Sequence, residues 1–97
     1  MNLEIIPQAQ NDIAEAATHY RNERAELANE FLTEIERSVA EIVANPTTFE
    51  QVRPGLRRYL VNRFPYGIYY RMPVDQAVRI ILVRHHSRRP SFGMRRK

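Results

Sequence analysis

Ninety-seven residues, with 43% hydrophobic and 27% charged side chains and no cysteine, make one thin-cored domain and exclude both a disulfide framework and a thiolate metal site. The wholly apolar run Ile80 to Val83 is too short to span a bilayer, and Met1-Asn2-Leu3-Glu4 is no charged lead into a signal peptide, so the expected location is the cytoplasm with no membrane contact. The net charge of +4 is segregated: residues 1–50 hold 3 basic and 10 acidic side chains, whereas residues 51–97 hold 12 basic ones against Asp75 alone.

Leu3 to Ile6 is a short strand candidate, stopped by Pro7, whose fixed φ suits the first turn of a helix. Ala9, Ile13, Ala16, Ala17 and Tyr20 then fall on one helical stripe that ends near Arg21 to Arg24. Ala28, Phe31, Leu32, Ile35, Val39, Ile42 and Val43 form a second, stronger stripe that Asn45-Pro46 ends. The two helices make an antiparallel hairpin over about residues 7–45, although neither glycine nor proline marks its turn. Glu30, Glu34 and Glu41 read as a solvated helix face rather than a catalytic pair, and His19 as ordinary helix surface.

Beyond a loop containing Pro46 and Pro54-Gly55 the period changes to two. Leu56 to Val61 is one strand, and Phe64, Tyr66, Ile68, Tyr70 and Met72 alternate along the next, with Pro65 tolerable only near its start. Pro73-Val74-Asp75-Gln76 reads as a hairpin turn, and Ala77 to Val83 as a nearly all-apolar strand. The expected fold is α+β in the order β-α-α-β-β-β. The helix hairpin packs on one face of a mainly antiparallel sheet of about residues 55–84, followed by a basic tail, 85–97. Arginines and tyrosines are left to the other face. By parity Tyr66 and Tyr70 belong to the core, while Tyr59 and Tyr69 are the candidates for an exposed platform.

Arginine dominates the basic half, and its planar fork grips phosphate or carboxylate bidentately. The expected binding surface is Arg57, Arg58, Arg63, Tyr69, Arg71, Arg84, Arg88 and Arg89. Arginine can stabilise a phosphate's charge but cannot supply acid–base chemistry, so in any catalysis Arg84 would act beside an acid or base drawn from His85, His86 or tyrosines such as Tyr66 and Tyr70. Adjacent histidines on a strand point to opposite faces, which argues against a metal site, and no glycine-rich phosphate loop is present, so no cofactor is implied.

Ala14-Glu15 to Tyr20, Phe31-Leu32, Arg57-Arg58, the run Arg63-Phe64-Pro65-Tyr66-Gly67-Ile68-Tyr69-Tyr70 and the ending Val83-Arg84-His85-His86-Ser87-Arg88-Arg89-Pro90 together give the chain a likeness to a known group. It resembles the RelE/ParE superfamily of toxins from type II toxin-antitoxin modules, and most of all the ParE-like, plasmid-stabilisation branch. The resemblance implies a toxin neutralised by a cognate antitoxin protein, in a hetero-oligomeric complex. ParE-like members are associated with inhibition of DNA gyrase; RelE-like members cut mRNA on the ribosome, some with an Arg-x-His arrangement similar to Arg84-His85-His86. Two departures from the ribonuclease pattern stand out: the tail carries Phe92 where those relatives have a tyrosine, and Lys97 is the only lysine. A basic nucleic-acid-binding module without toxicity is the further alternative.

Overall fold

The computed structural model describes residues 2–73 and 77–97. Two helices pack on a five-stranded sheet: β1 (Leu3–Ile5), α1 (Pro7–Glu23), α2 (Ala25–Ala44), β2 (Glu50–Arg53), β3 (Leu56–Leu60), β4 (Tyr66–Arg71) and β5 (Val78–His85). The spatial order is β1-β5-β4-β3-β2, with β1 parallel to β5 and every other pairing antiparallel. The expected fold class is therefore found, with one correction: the sheet begins at Glu50 rather than near residue 55. β2 is polar and almost wholly exposed, so it carries none of the apolar alternation that marks a strand. It is held as an edge by pairing with β3 around a two-residue turn, where Gly55 supplies a φ of +74° after Pro54.

The helix hairpin turns on a single residue. Arg24, in extended conformation, closes α1 through its N–H to the Tyr20 carbonyl and also precedes the first residue of α2, so no special turn residue is required. Ala9, Ala16 and Ala17 of α1 are buried, and their small side chains let helix and sheet approach closely. Above them Tyr20, Phe31, Phe64 and Tyr66 form an aromatic nest with ring centroids 5.2–6.3 Å apart in edge-on and tilted pairs. The core parity of Phe64, Tyr66, Ile68 and Tyr70 is found as expected. Pro65 lies just before β4, where its missing amide costs the ladder nothing. The turn expected at Pro73 to Gln76 lies, from Val74 onward, outside the described residues.

The opposite sheet face is not bare. Leu56, Tyr69, Ile81 and Leu82 form a second apolar cluster with Met94, and Phe92 packs against it. The C-terminal segment crosses this face in local turns and covers it. Tyr59 and Tyr69 are consequently 7% and 1% exposed, which corrects the expectation of an exposed tyrosine platform. Tyr59 belongs to the helix-side core and Tyr69 to the second cluster.

Candidate functional site

Strand alternation divides the arginines. On the helix side, Arg57 donates to the Phe49 and Thr47 carbonyls at 2.7 and 3.3 Å, bracing the loop after α2. Arg63 sits in the loop before β4 with φ +71°, a left-handed conformation uncommon for a residue other than glycine, and its guanidinium pairs with Glu30 of α2 at 2.7 Å. Together with Arg24, that pair holds the Glu30 carboxyl below its usual range. Arg57 and Arg63 thus brace the helix side, across the sheet from Arg58, Tyr69 and Arg84.

On the opposite side three strands converge. Arg58 of β3, Tyr69 of β4 and Arg84 of β5 meet across Gly67, which pairs with Arg84 and Leu60 in the ladders. A Cβ at Gly67 would lie 3.1 Å from the Tyr69 ring and 3.5 Å from the Arg58 stem, so glycine makes the approach possible. Arg84 Nη2 donates to the Tyr69 hydroxyl at 2.6 Å while its guanidinium stacks 4.8 Å from the ring centroid. Burial alone would pull Arg58 toward deprotonation, but the same Tyr69 hydroxyl and Glu50, at 2.7 Å, hold its charge more firmly than usual. The Nε–H groups of Arg58 and Arg84 are buried with no acceptor among the described residues.

His86 stands at the rim of this cluster. Burial, then the charges of His85, Arg58 and Arg84, push its pKa down. His85 turns the other way: its ring lies edge-on to Tyr66 at 5.1 Å, and its Nδ1 accepts from the Ser87 N–H at 2.9 Å. With Nδ1 occupied as an acceptor, neutral His85 carries its proton on Nε2. It lines a crevice of about 190 Å³ with Glu15, His19, Tyr66, Arg84, Arg88 and Phe92. The two histidines, either of which is an expected catalytic neighbour of Arg84, therefore serve different surroundings.

Charge segregation is partly cancelled by folding. Arg58, Arg63, Arg79 and Arg96 each bond a carboxylate of the acidic half, namely Glu50, Glu30, Glu4 and Asp12. Arg71 donates to the Gly55 and Arg96 carbonyls and Arg84 to the Pro90 carbonyl, while Arg88 stacks 4.5 Å over Phe92. Arg89 is exposed.

Sequence patterns did not single out a second feature, an apolar groove of about 710 Å³ between β1, α1 and α2. Leu3, Ile5, Ile13, Leu32, Val39 and Val43 line it, with Glu36 among its polar walls. Its signal was present in the width of the α2 stripe: Phe31, Ile35 and Ile42 are buried against the sheet, whereas Leu32, Val39 and Val43, one residue further round, are only half-buried.

Two helices on a five-stranded mixed sheet in the order β-α-α-β-β-β make up the fold of the ParE and RelE toxins. The structure described as the chromosomal ParDE TA system from P. aeruginosa superposes with a TM-score of 0.77 at 22% identity, covering 88% of this chain and 95% of that one. The isolated E. coli RelE toxin superposes with a TM-score of 0.57 at 13% identity, covering 92% of this chain and 87% of that one. More specifically, the chain belongs to the ParE toxin family: residues 3–90 match the profile of the ParE toxin of type II toxin-antitoxin systems, parDE. No curated protein sequence matches.

Proposed function

We propose that this protein is a growth-inhibiting toxin that acts in the cytoplasm by binding DNA gyrase, and that a cognate antitoxin holds it inactive until the antitoxin is degraded. Membership of the ParE family supports the class. The observation that carries the choice of binding over cleavage is the divergence of the two histidines. Cleavage without a metal needs a base for the 2′-hydroxyl and an acid for the leaving oxygen, both within reach of one phosphate. Here His86 borders Arg58 and Arg84 while His85 packs on Tyr66 across the strand. Arg58 and Arg84, held in place by the buried Tyr69 hydroxyl, can instead act as a fixed cationic platform, with Arg71, Arg88 and Arg89 beside it, for an acidic surface of the target.

The antitoxin is assigned to the apolar groove. Its half-buried aliphatic walls fit an amphipathic segment, and the neighbouring β1 is an edge strand of the sheet that a further strand can extend. Purified toxin is expected to inhibit gyrase supercoiling at a stoichiometry near that of the enzyme, and added antitoxin to relieve the inhibition. Unchanged supercoiling, with in-frame cuts on a translated message, would replace this reading with the RelE-like ribonuclease. The crevice holding Tyr66, His85 and Arg88 is the feature that favours that second reading.

A further inference from the structure

The strap formed by Arg88 to Lys97 is attached in an unusual way. Among the described residues its backbone hydrogen bonds are all local turns, from Arg88 N to His85 O, Phe92 N to Arg89 O, Met94 N to Ser91 O and Arg96 N to Gly93 O. No strand ladder ties it down. Side chains do: Phe92 and Met94 seat on Leu56, Tyr69, Ile81 and Leu82, and Gly93, with φ +72°, lies so close that a Cβ would meet Leu82 Cδ1 at 2.5 Å. The sheet's arginines reach out to strap carbonyls, Arg84 to Pro90 at 2.7 Å and Arg71 to Arg96 at 3.2 Å. Arg96 closes the far end, bonding Asp12 at 2.7 Å and the Ile81 carbonyl at 3.1 Å. Ser91 to Lys97 lie beyond the residues 3–90 that match the family profile.

From this geometry we infer that the strap is a detachable occupant of a second protein-docking surface, one that takes an acidic peptide segment anchored by two apolar side chains. The strap supplies the apolar anchors, but it offers Arg71 and Arg84 only neutral carbonyls and brings further positive charge of its own, Arg88, Arg89, Arg95 and Lys97, to a basic face. A segment that keeps the anchors and replaces those carbonyls with carboxylates forms charge-assisted bonds, roughly twice as strong as neutral ones. Strap and segment then compete for the same place, and the Arg96–Asp12 pair sets how often the place is open. The face is the one assigned above to the target, but the inference uses only the strap and the surface beneath it, and its test needs no gyrase, so either reading can fail alone.

The test uses the full chain and a fluorescent octapeptide matching strap positions 90–97 that keeps Phe-Gly-Met, carries glutamate in place of Pro90, Arg95 and Lys97, and carries glutamine in place of Arg96, so that no carboxylate faces Asp12. Apparent affinity scales with the open fraction, so Gly93→Ala, which cannot seat against Leu82, is expected to bind at least about tenfold more tightly than the wild type. Asp12→Asn, which keeps an acceptor for the Val83 N–H but loses the latch charge, falls between them. Met94 oxidation by dilute peroxide reports opening independently, and circular dichroism reports folding; should Gly93→Ala fail to fold, Asp12→Asn carries the comparison alone. Equal peptide affinity in wild type and variants overturns the inference, as does Met94 protection that neither variant loses. Equal binding of a peptide with alanine at both anchors, or its complete displacement by a single-stranded oligonucleotide of matched charge, would make the face a general polyanion surface and also overturn it.

Discussion

Tyr69 places one hydroxyl within reach of two guanidiniums, and its ring is 1% exposed. Phenylalanine there keeps the ring and removes the only oxygen, so Arg84 Nη2 loses its acceptor in a partly buried setting. Tyr69→Phe is expected to cost about 1–3 kcal/mol by urea denaturation, more than the surface substitution Arg89→Gln, which should fall within about 0.5 kcal/mol. His86 offers a pH test at the same cluster. Its folded pKa is depressed, so below the unfolded value near 6.5 the unfolded chain binds more protons and stability falls as pH drops through the window between the two. His86→Gln should therefore flatten the urea midpoint between pH 7.5 and 5.5, while the wild-type midpoint declines; Glu30, also depressed, loses its contribution only in the carboxylate range below 4.5. An identical decline in both proteins would remove His86 from the neighbourhood of Arg58 and Arg84.

The helices derive their stability from burial more than from capping, since neither has a side-chain N-cap. Phe31 is fully buried at the centre of the aromatic nest, and Phe31→Ala is expected to cost about 3–5 kcal/mol, read as a lowered denaturation midpoint with loss of near-ultraviolet ellipticity. Elements with strong periodicity were legible: both helical stripes, the parity of Phe64 to Tyr70 and the nearly all-apolar stretch of β5 up to Val83 follow from spacing alone. β2 was not, because an exposed edge strand of Glu50-Gln51-Val52-Arg53 has no buried face to impose alternation. Pro54-Gly55 was the available clue, a two-residue turn that needs a strand on each side. The strap escaped for a related reason. Phe92 and Met94 sit two apart in an aperiodic tail, and only their partners Leu56, Tyr69 and Leu82, on the face opposite the helices, show that something apolar must cover it. Of the candidate site, Arg58, Tyr69, Arg84 and His86 were all named in the sequence; their separation from Arg57 and Arg63 depended on register, which no single strand reveals.

On the scale of the whole molecule, two docking surfaces lie on opposite sides of one sheet and differ in chemistry. The groove beside β1 is aliphatic with an acidic wall, Glu36, whereas the β3–β5 face is cationic. Folding moderates this division by pairing Arg58, Arg63, Arg79 and Arg96 with carboxylates of the acidic half, which leaves Arg71, Arg84, Arg88 and Arg89 as cations of the face without a carboxylate partner among the described residues. If the antitoxin occupies the groove and the target meets the cationic face, the two activities must separate by mutation. Leu32 and Val39 are half-buried groove walls rather than core, so Leu32→Gln with Val39→Gln should alter folding stability only modestly, yet together remove two apolar anchors at the centre of an interface. Central anchors typically account for 1 kcal/mol or more each, which predicts a loss of antitoxin affinity of about tenfold or greater by calorimetry, with gyrase inhibition unchanged in the supercoiling assay. Arg58→Gln should give the converse, weakened inhibition with antitoxin affinity retained, because its guanidinium lies across the sheet from the groove. A groove variant that loses both activities while remaining folded, or an Arg58 variant that loses antitoxin binding alone, would mean that the two partners share one face and that the antitoxin acts by direct occlusion.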